Sequence, residues 1–217
     1  GGDPTGLGRW TSARFTGKRD FSFTLISAYR PCRSDSGTGT VWSQHFRHFA
    51  QNRDTGDLAP NPRAIFDADL LTAVDAAIDQ GDQLIIGIDQ NEDVRDGFLS
   101  RELQARGLLN PMHASHGAGA SPAAHNRNRS RTPIDAMWST PGVQTLRSGF
   151  CAFDDPRAAT SDHRLLWVEV TNASLLGKAL PPPRRIHASR LRVIDPCLRN
   201  RYQRRVRQEY NRLQVFS

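Results

Sequence analysis

Three short stretches set reactive polar side chains directly against strand-like apolar runs. In the first, Leu84-Ile85-Ile86-Gly87-Ile88 runs straight into Asp89-Gln90-Asn91. A carboxylate and an amide two residues apart on a departing strand point the same way and can reach one ligand. Asp and Asn also favour strand-end turns, so the pair reads equally as a turn. In the second, TPIDAMWS (132–139), Asp135 interrupts an apolar run, where a carboxylate is costly unless it is paired or hydrogen-bonded. In the third, ATSDHRLLWVEV (159–170), Asp162 and His163 stand in front of a strand, as a turn and cap or as an acid beside an imidazole. An acid that orients an imidazole suits a general base or a phosphate-binding group, and His163 could partner Asp135 in this way. Taken together, the three junctions offer what phosphodiester hydrolysis requires. A water must be held and deprotonated, phosphate charge must be neutralised, and a hard cation must be bound by carboxylate oxygens.

These residues need elements to bring them together. Period-two alternation predicts a hairpin of Trp10 to Thr16 and Phe21 to Tyr29, with Phe21, Phe23, Leu25, Ser27 and Tyr29 on one face. Thr40 caps an expected helix over about Val41 to Ala50, and Pro62 opens a second that ends near Gln80. The apolar run at 84–88 reads as a strand buried on both faces. A helix is expected over Phe98 to Ala105, a long surface loop over 113–131, and strands over Pro133 to Ser139 and Leu165 to Val170. Helix-then-strand alternation argues for α/β layers, in which residues just past strand ends gather at one rim.

Composition narrows the class. The chain has 217 residues, 37% hydrophobic and 24% charged, enough for one large domain or two small ones. No run approaches the roughly 18 apolar residues of a membrane helix, and no signal peptide is visible, so a soluble, nuclear or cytoplasmic protein without membrane partners is expected. The three cysteines are widely spaced, which suggests neither a disulfide framework nor a thiolate zinc site. The net charge of +7 is uneven: ten arginines after Pro183 face only Asp195 and Glu209, whereas the first 183 residues carry 19 basic and 20 acidic groups. Pro181-Pro182-Pro183 marks a boundary, giving an expected domain over 1–175 and an Arg-rich linker or helical tail over 176–217, helical from about Cys197 to Leu213. Arginines interleaved with Tyr202 and Tyr210 would attract nucleic-acid phosphates; a solvated helix face is an equal alternative.

In this order and at these distances, SAYRPC, IIGIDQNEDV, TPIDAMWS and SDHRLLWVEV resemble the endonuclease/exonuclease/phosphatase superfamily, over roughly residues 9 to 170. The resemblance implies a four-layer α/β sandwich, two packed mixed sheets flanked by helices. Here it would be partial and lack its first strands, because the family's first segment, with its Asn and metal-binding Glu, has no counterpart before Trp10. The chain, which begins at Gly1, is thus expected to be N-terminally incomplete. The resemblance further implies that Tyr29 contacts phosphate, Asp89 activates water, Asn91 holds a phosphate oxygen, and Asp135 orients His163, which faces the scissile phosphate. Asp162 would lie next to a Mg²⁺ or Mn²⁺ cofactor. Arg127 and Arg129 would sit at the substrate rim. The glycine of the family's Gly-Asp-x-Asn is displaced by one position in Gly87-Ile88-Asp89-Gln90-Asn91.

The tail resembles the linker that precedes a reverse transcriptase in retrotransposon-type proteins. The leading expectation is therefore a metal-dependent DNA endonuclease domain of such a protein, with a reverse transcriptase downstream in the parent. The alternatives are a phosphatase or phosphodiesterase acting on a phospholipid or inositol phosphate, and an inactive fragment binding nucleic acid through its basic tail. The pairs His45/His48 and His113/His116 have a zinc-compatible spacing but lack the Glu of a His-Glu-x-x-His motif. SGTGT (36–40) lacks the Gly-Lys-Ser/Thr of a phosphate loop and reads as a flexible loop.

Overall fold

A hairpin opens the fold, as the alternation at its two runs predicts. In the computed structural model, which describes residues 2–34, 37–52, 59–120, 132–153, 161–178 and 195–212, β1 (Trp10–Thr16) pairs antiparallel with β2 (Ser22–Tyr29). Arg19 and Asp20 adopt left-handed backbone at the turn, with φ of 55° and 63°. The connection from β2 then passes through α1 (Val41–Asn52) and α2 (Pro62–Asp79) before β3 (Gln83–Asp89), which lies parallel to β2. Asn61 caps α2 by accepting from the Arg63 and Ala64 amides, Pro62 supplies the first turn, and Gly81 at φ 77° closes the exit. After α3 (Phe98–Ala105) and α4 (Pro111–His116), β4 (Asp135–Ser139) completes a sheet of order β1-β2-β3-β4. β5 (Thr145–Phe150) and β6 (Leu166–Val170) form a second, antiparallel sheet, followed by α5 (Asn172–Leu176). The fold is mixed α/β with two sheets flanked by helices.

The core lies between the first sheet and the helices. Phe66, Leu70, Leu71, Val74 and Ala77 of α2, with Leu99 and Leu103 of α3, pack on Ile26, Leu84, Ile86, Ile88, Ala136 and Trp138. Each such side chain contributes about 1.5–3 kcal/mol by leaving water. β3 departs from the expectation that it is buried on both faces. Leu84, Ile86 and Ile88 are buried against the helices, while Ile85, Gly87 and Asp89 are only partly covered. The opposite face of β2 is more open still. Leu25 and Tyr29 are exposed beside Phe15 of β1, whose ring stacks on Phe23 with centroids 4.7 Å apart. The residues expected to share a face do share one within the strand, and it is the less buried face. The second sheet meets the first at β3 and β4, where Ile85 and Met137 share a cavity of about 50 Å³ with Val168 and Val170 of β6.

Three elements were not expected. α4 begins at Asn110-Pro111, the same cap-and-proline signal that starts α2, but extends for only six residues. β5 reads Thr-Leu-Arg-Ser-Gly-Phe and buries Ser148 and Gly149 rather than its large residues. A Cβ on Gly149 would lie 2.6 Å from the Trp167 indole, so the strand trades an apolar side chain for that close approach. α5 begins behind a Thr171 cap and ends at Gly177, φ 65°. The chain divides into two units, Gly1–Leu180 and Pro181–Ser217. In the second, α6 (Pro196–Arg212) is a helix of 17 residues with no buried position.

Candidate active site

Strand register assembles the site. Tyr29 is the Cα partner of Asp89 across the parallel β2/β3 pair, and Asp89 is the partner of Asp135 across the antiparallel β3/β4 pair. A phenol and two carboxylates thus stand in one row at the strand ends. His163 completes the group from the segment before β6. Its Nδ1 lies 2.8 Å from Asp135 Oδ2, and its backbone N–H donates to Ser161 Oγ at 3.0 Å. Ligand atoms of Asp89, Asp135 and His163 all lie within 4.8 Å of one another. The lone Asp135 in its apolar strand is therefore paired, which offsets the cost of placing a carboxylate there.

Electrostatics follow from this packing. Burial pushes the His163 pKa down, but the hydrogen bond and charge of Asp135, with the further charges of Asp89 and Asp162, outweigh it and leave the pKa raised. Burial pushes the Tyr29 phenol up, aided by the Asp89 charge and opposed by a hydrogen bond with the Asn91 side chain. Asp162 is exposed and stands outside the three-residue cluster, reaching it through its field at His163. With Nδ1–H directed at Asp135, the neutral imidazole presents Nε2 as a bare acceptor.

The turn after β3 fixes Asn91. It adopts left-handed backbone, φ 49°, which Asn tolerates better than most residues. Its amide donates to Asp89 Oδ1 at 3.0 Å and its carboxamide to the Arg30 carbonyl at 2.7 Å. Arg63 donates to the Asn91 carbonyl and, at 2.9 Å, to that of Pro31, tying the turns after β2 and β3 together. Beneath them, buried Arg30 grips Asp67 of α2 with two bonds of 2.7 Å and Glu92 with one of 2.8 Å. Glu92 in turn accepts from the Leu99 amide at 2.7 Å, holding the start of α3. A cleft of about 380 Å³ opens over the site, lined by Ser27, Asp89, Asp135, His163 and Arg164 among others.

Five sequence-predicted residues, Tyr29, Asp89, Asn91, Asp135 and His163, are brought together, with Asp162 adjacent. Arg127 and Arg129 lie outside the described residues. Sequence reasoning passed over Arg30, Arg63 and Arg164, although Arg30 and Arg164 stand inside the quoted motifs SAYRPC and SDHRLLWVEV. The residue types fit a hard divalent cation, since two carboxylates on neighbouring strands converge with an imidazole, their ligand atoms within 4.8 Å of one another.

The chain is similar to solved structures of the endonuclease/exonuclease/phosphatase fold. One is the Xenopus laevis APE2 catalytic domain, 16% identical with a TM-score of 0.48 over 74% of this chain and 54% of that one. Another is a Bacteroides thetaiotaomicron mannosyl-6-phosphatase, 15% identical with a TM-score of 0.46 over 75% of this chain and 56% of that one. The endonuclease domain of TRAS1, a telomere-specific non-LTR retrotransposon, is 15% identical with a TM-score of 0.34 over 72% and 65%. The chain spans little more than half the length of the first two of these structures. No family model and no curated protein matches the sequence.

Proposed function

We propose that the chain carries the active site of a metal-dependent phosphodiester hydrolase acting on DNA. The observation that carries this reading is the row Tyr29–Asp89–Asp135 with His163 seated 2.8 Å from Asp135. Asp135 holds the imidazole in one tautomer, so that Nε2 faces the cleft, where it takes up or donates a proton at the scissile phosphate. Asp89 orients and deprotonates the attacking water. The Asn91 carboxamide and the Tyr29 phenol donate to phosphate oxygens, and the fixed turn at Asn91 keeps those donors aimed before substrate arrives. Asp89 and Asp135, with Asp162 at the margin, would supply the oxygen ligands for Mg²⁺ or Mn²⁺. When bound there, such a cation supplies charge neutralisation at the phosphate and a lower pKa for water.

DNA is favoured over a phospholipid or inositol phosphate by α6, in which Arg199, Arg201, Arg204, Arg205, Arg207 and Arg212 project from one exposed helix. No helix among the described residues is long and apolar enough to cross a membrane. Origin in a retrotransposon-type protein with a downstream reverse transcriptase belongs to the same proposal and rests on the tail and motif resemblance. Hydrolysis of duplex DNA, a phosphatidylinositol phosphate and a simple aryl phosphate, compared in Mg²⁺, tests the assignment. Turnover of DNA above the other two supports it, and preference for either of the others overturns the substrate class.

A further inference from the structure

Arg164 follows His163 directly and lines the same cleft as Asp89 and Asp135. Its guanidinium carbon lies 4.3 Å from the Phe153 ring centroid and 5.7 Å from that of Phe150. Such stacking holds a cation by the ring quadrupole and fixes the plane of the guanidinium. Stacking supplies no hydrogen-bond acceptor, however. Arg164 Nε is buried without a hydrogen-bond partner, and no carboxylate among the described residues lies within ion-pair distance. Two buried arginines of the fold are ion-paired, Arg9 with Asp3 and Asp69 and Arg30 with Asp67 and Glu92, although Arg9 Nη1 likewise lacks a hydrogen-bond partner. Arg164 differs from Arg9 in having no ion pair among the described residues and in lining the cleft that holds Asp89, Asp135 and His163, where a ligand can bring the acceptor it lacks.

We propose that Arg164 is a substrate-binding residue whose guanidinium receives a non-bridging phosphate oxygen in the cleft. A planar, permanently charged fork matches phosphate better than it matches a neutral sugar or base, and the two rings pre-organise it at no cost when substrate enters. The assignment rests on the hydrolase reading of the cleft and deepens it by placing a fixed positive charge in the cleft that holds Asp89, Asp135 and His163. It also separates two neighbours in sequence: His163 handles a proton and Arg164 handles charge.

The test uses the whole chain and two variants, Arg164→Met, which keeps the stem packed on the rings, and Arg164→Lys, which keeps the charge. Binding of a short fluorescein-labelled DNA duplex is followed by anisotropy in EDTA across a salt series. Inorganic phosphate is titrated separately while the Arg164 Nε–H signal is followed by NMR. R164M is expected to weaken duplex binding about ten-fold or more, as for loss of a hydrogen bond to a charged group. The log–log salt slope should fall by about one, and R164K should restore the slope with part of the affinity. The wild-type Nε–H signal should shift on adding phosphate. Unchanged affinity and slope in R164M, with only a lower Tm, would assign Arg164 to packing and overturn the proposal. Should R164M not fold, absence of the phosphate-induced shift in the wild type overturns it equally. A shift in a chain that cleaves no DNA in Mg²⁺ retires the hydrolase reading and leaves the anion subsite standing. Cleavage with R164M unchanged in KM and salt slope does the reverse.

Discussion

With its Nδ1 engaged by Asp135, His163 is half-exposed yet held in one orientation, and its proton affinity is set by the carboxylates around it. Because its folded pKa is raised above 6.5, the stability it contributes is fully present below pH 6.5 and is lost as pH rises through the folded value. Asp135→Asn removes the leading raising partner and leaves burial opposed only by the charges of Asp89 and Asp162, so the His163 midpoint, read by NMR in a chelator, should fall below that of the wild type. The same substitution should cost about 10²–10⁴-fold in DNA cleavage, the range for a positioned acid–base group. Asp89 and Asp135 stand side by side as like charges. Millimolar Mg²⁺ should therefore raise Tm through binding to the folded state, and Asp89→Asn should abolish that rise. At this scale much of the site was legible. Asp89, Asn91, Asp135 and His163 stand as polar residues at the ends of apolar runs, where a turn or cap would also put them, and the resemblance of the four motifs is what singles them out. Arg164 and Arg63 do not. An arginine beside a motif is commonplace, and only the stacked rings at one and the two carbonyls at the other give them a place.

Elements then decide which of those residues meet. The β2-to-β3 crossover through α2 sets parallel register, and a slip of one residue would send Asp89 to the helix-facing side. Two devices hold that register. Asp82, just before β3, accepts from Arg14, Ser22 and Thr24, and the Arg14 hydrogen bond leads in pushing its pKa down to about 2. Its stabilising effect should be present above about pH 4 and lost as pH falls towards 2, a dependence that Asp82→Asn should remove from the acid unfolding curve. At the other end, Asp67→Ala would strand Arg30 with one of its two acidic partners gone from a buried position, and should cost about 3–5 kcal/mol in urea unfolding. The hairpin, α2 and β3 were visible in the sequence because alternation, a first-turn proline followed by apolar residues at three- and four-residue spacing, and a continuous apolar run mark them. β5 was not, since its buried positions are Ser148 and Gly149 while its large residues Leu146 and Phe150 are exposed. α4 and α5 are too short for a 3.6-residue period to show.

Across the whole molecule, charge is segregated from chemistry. The first unit holds the site, while α6 in the second carries arginine with few acids and has no buried residue. Such a helix binds polyphosphate mainly by releasing counterions, so its contribution should shrink steeply as salt rises. Removing 181–217 is expected to weaken duplex binding at low salt and to flatten the log–log salt slope by several units, measured by anisotropy. If the slope is unchanged, α6 is a solvated helix and DNA is held by the first unit alone. The fold class and the two-part division of charge could both be read from sequence, because they depend on sums over many residues. The partly open face of the first sheet, with Leu25 and Tyr29 exposed, could not, because alternation shows which residues share a face and not what covers it.

The most direct measurement is nicking of supercoiled plasmid by the whole chain in Mg²⁺, with His163→Ala run beside it at equal concentration. Cleavage by the wild type that falls at least 10²-fold in the variant and vanishes in EDTA is the expected result. Cleavage that survives His163→Ala, or no cleavage by the wild type, would contradict a catalytic role for the Tyr29–Asp89–Asp135–His163 row in this chain.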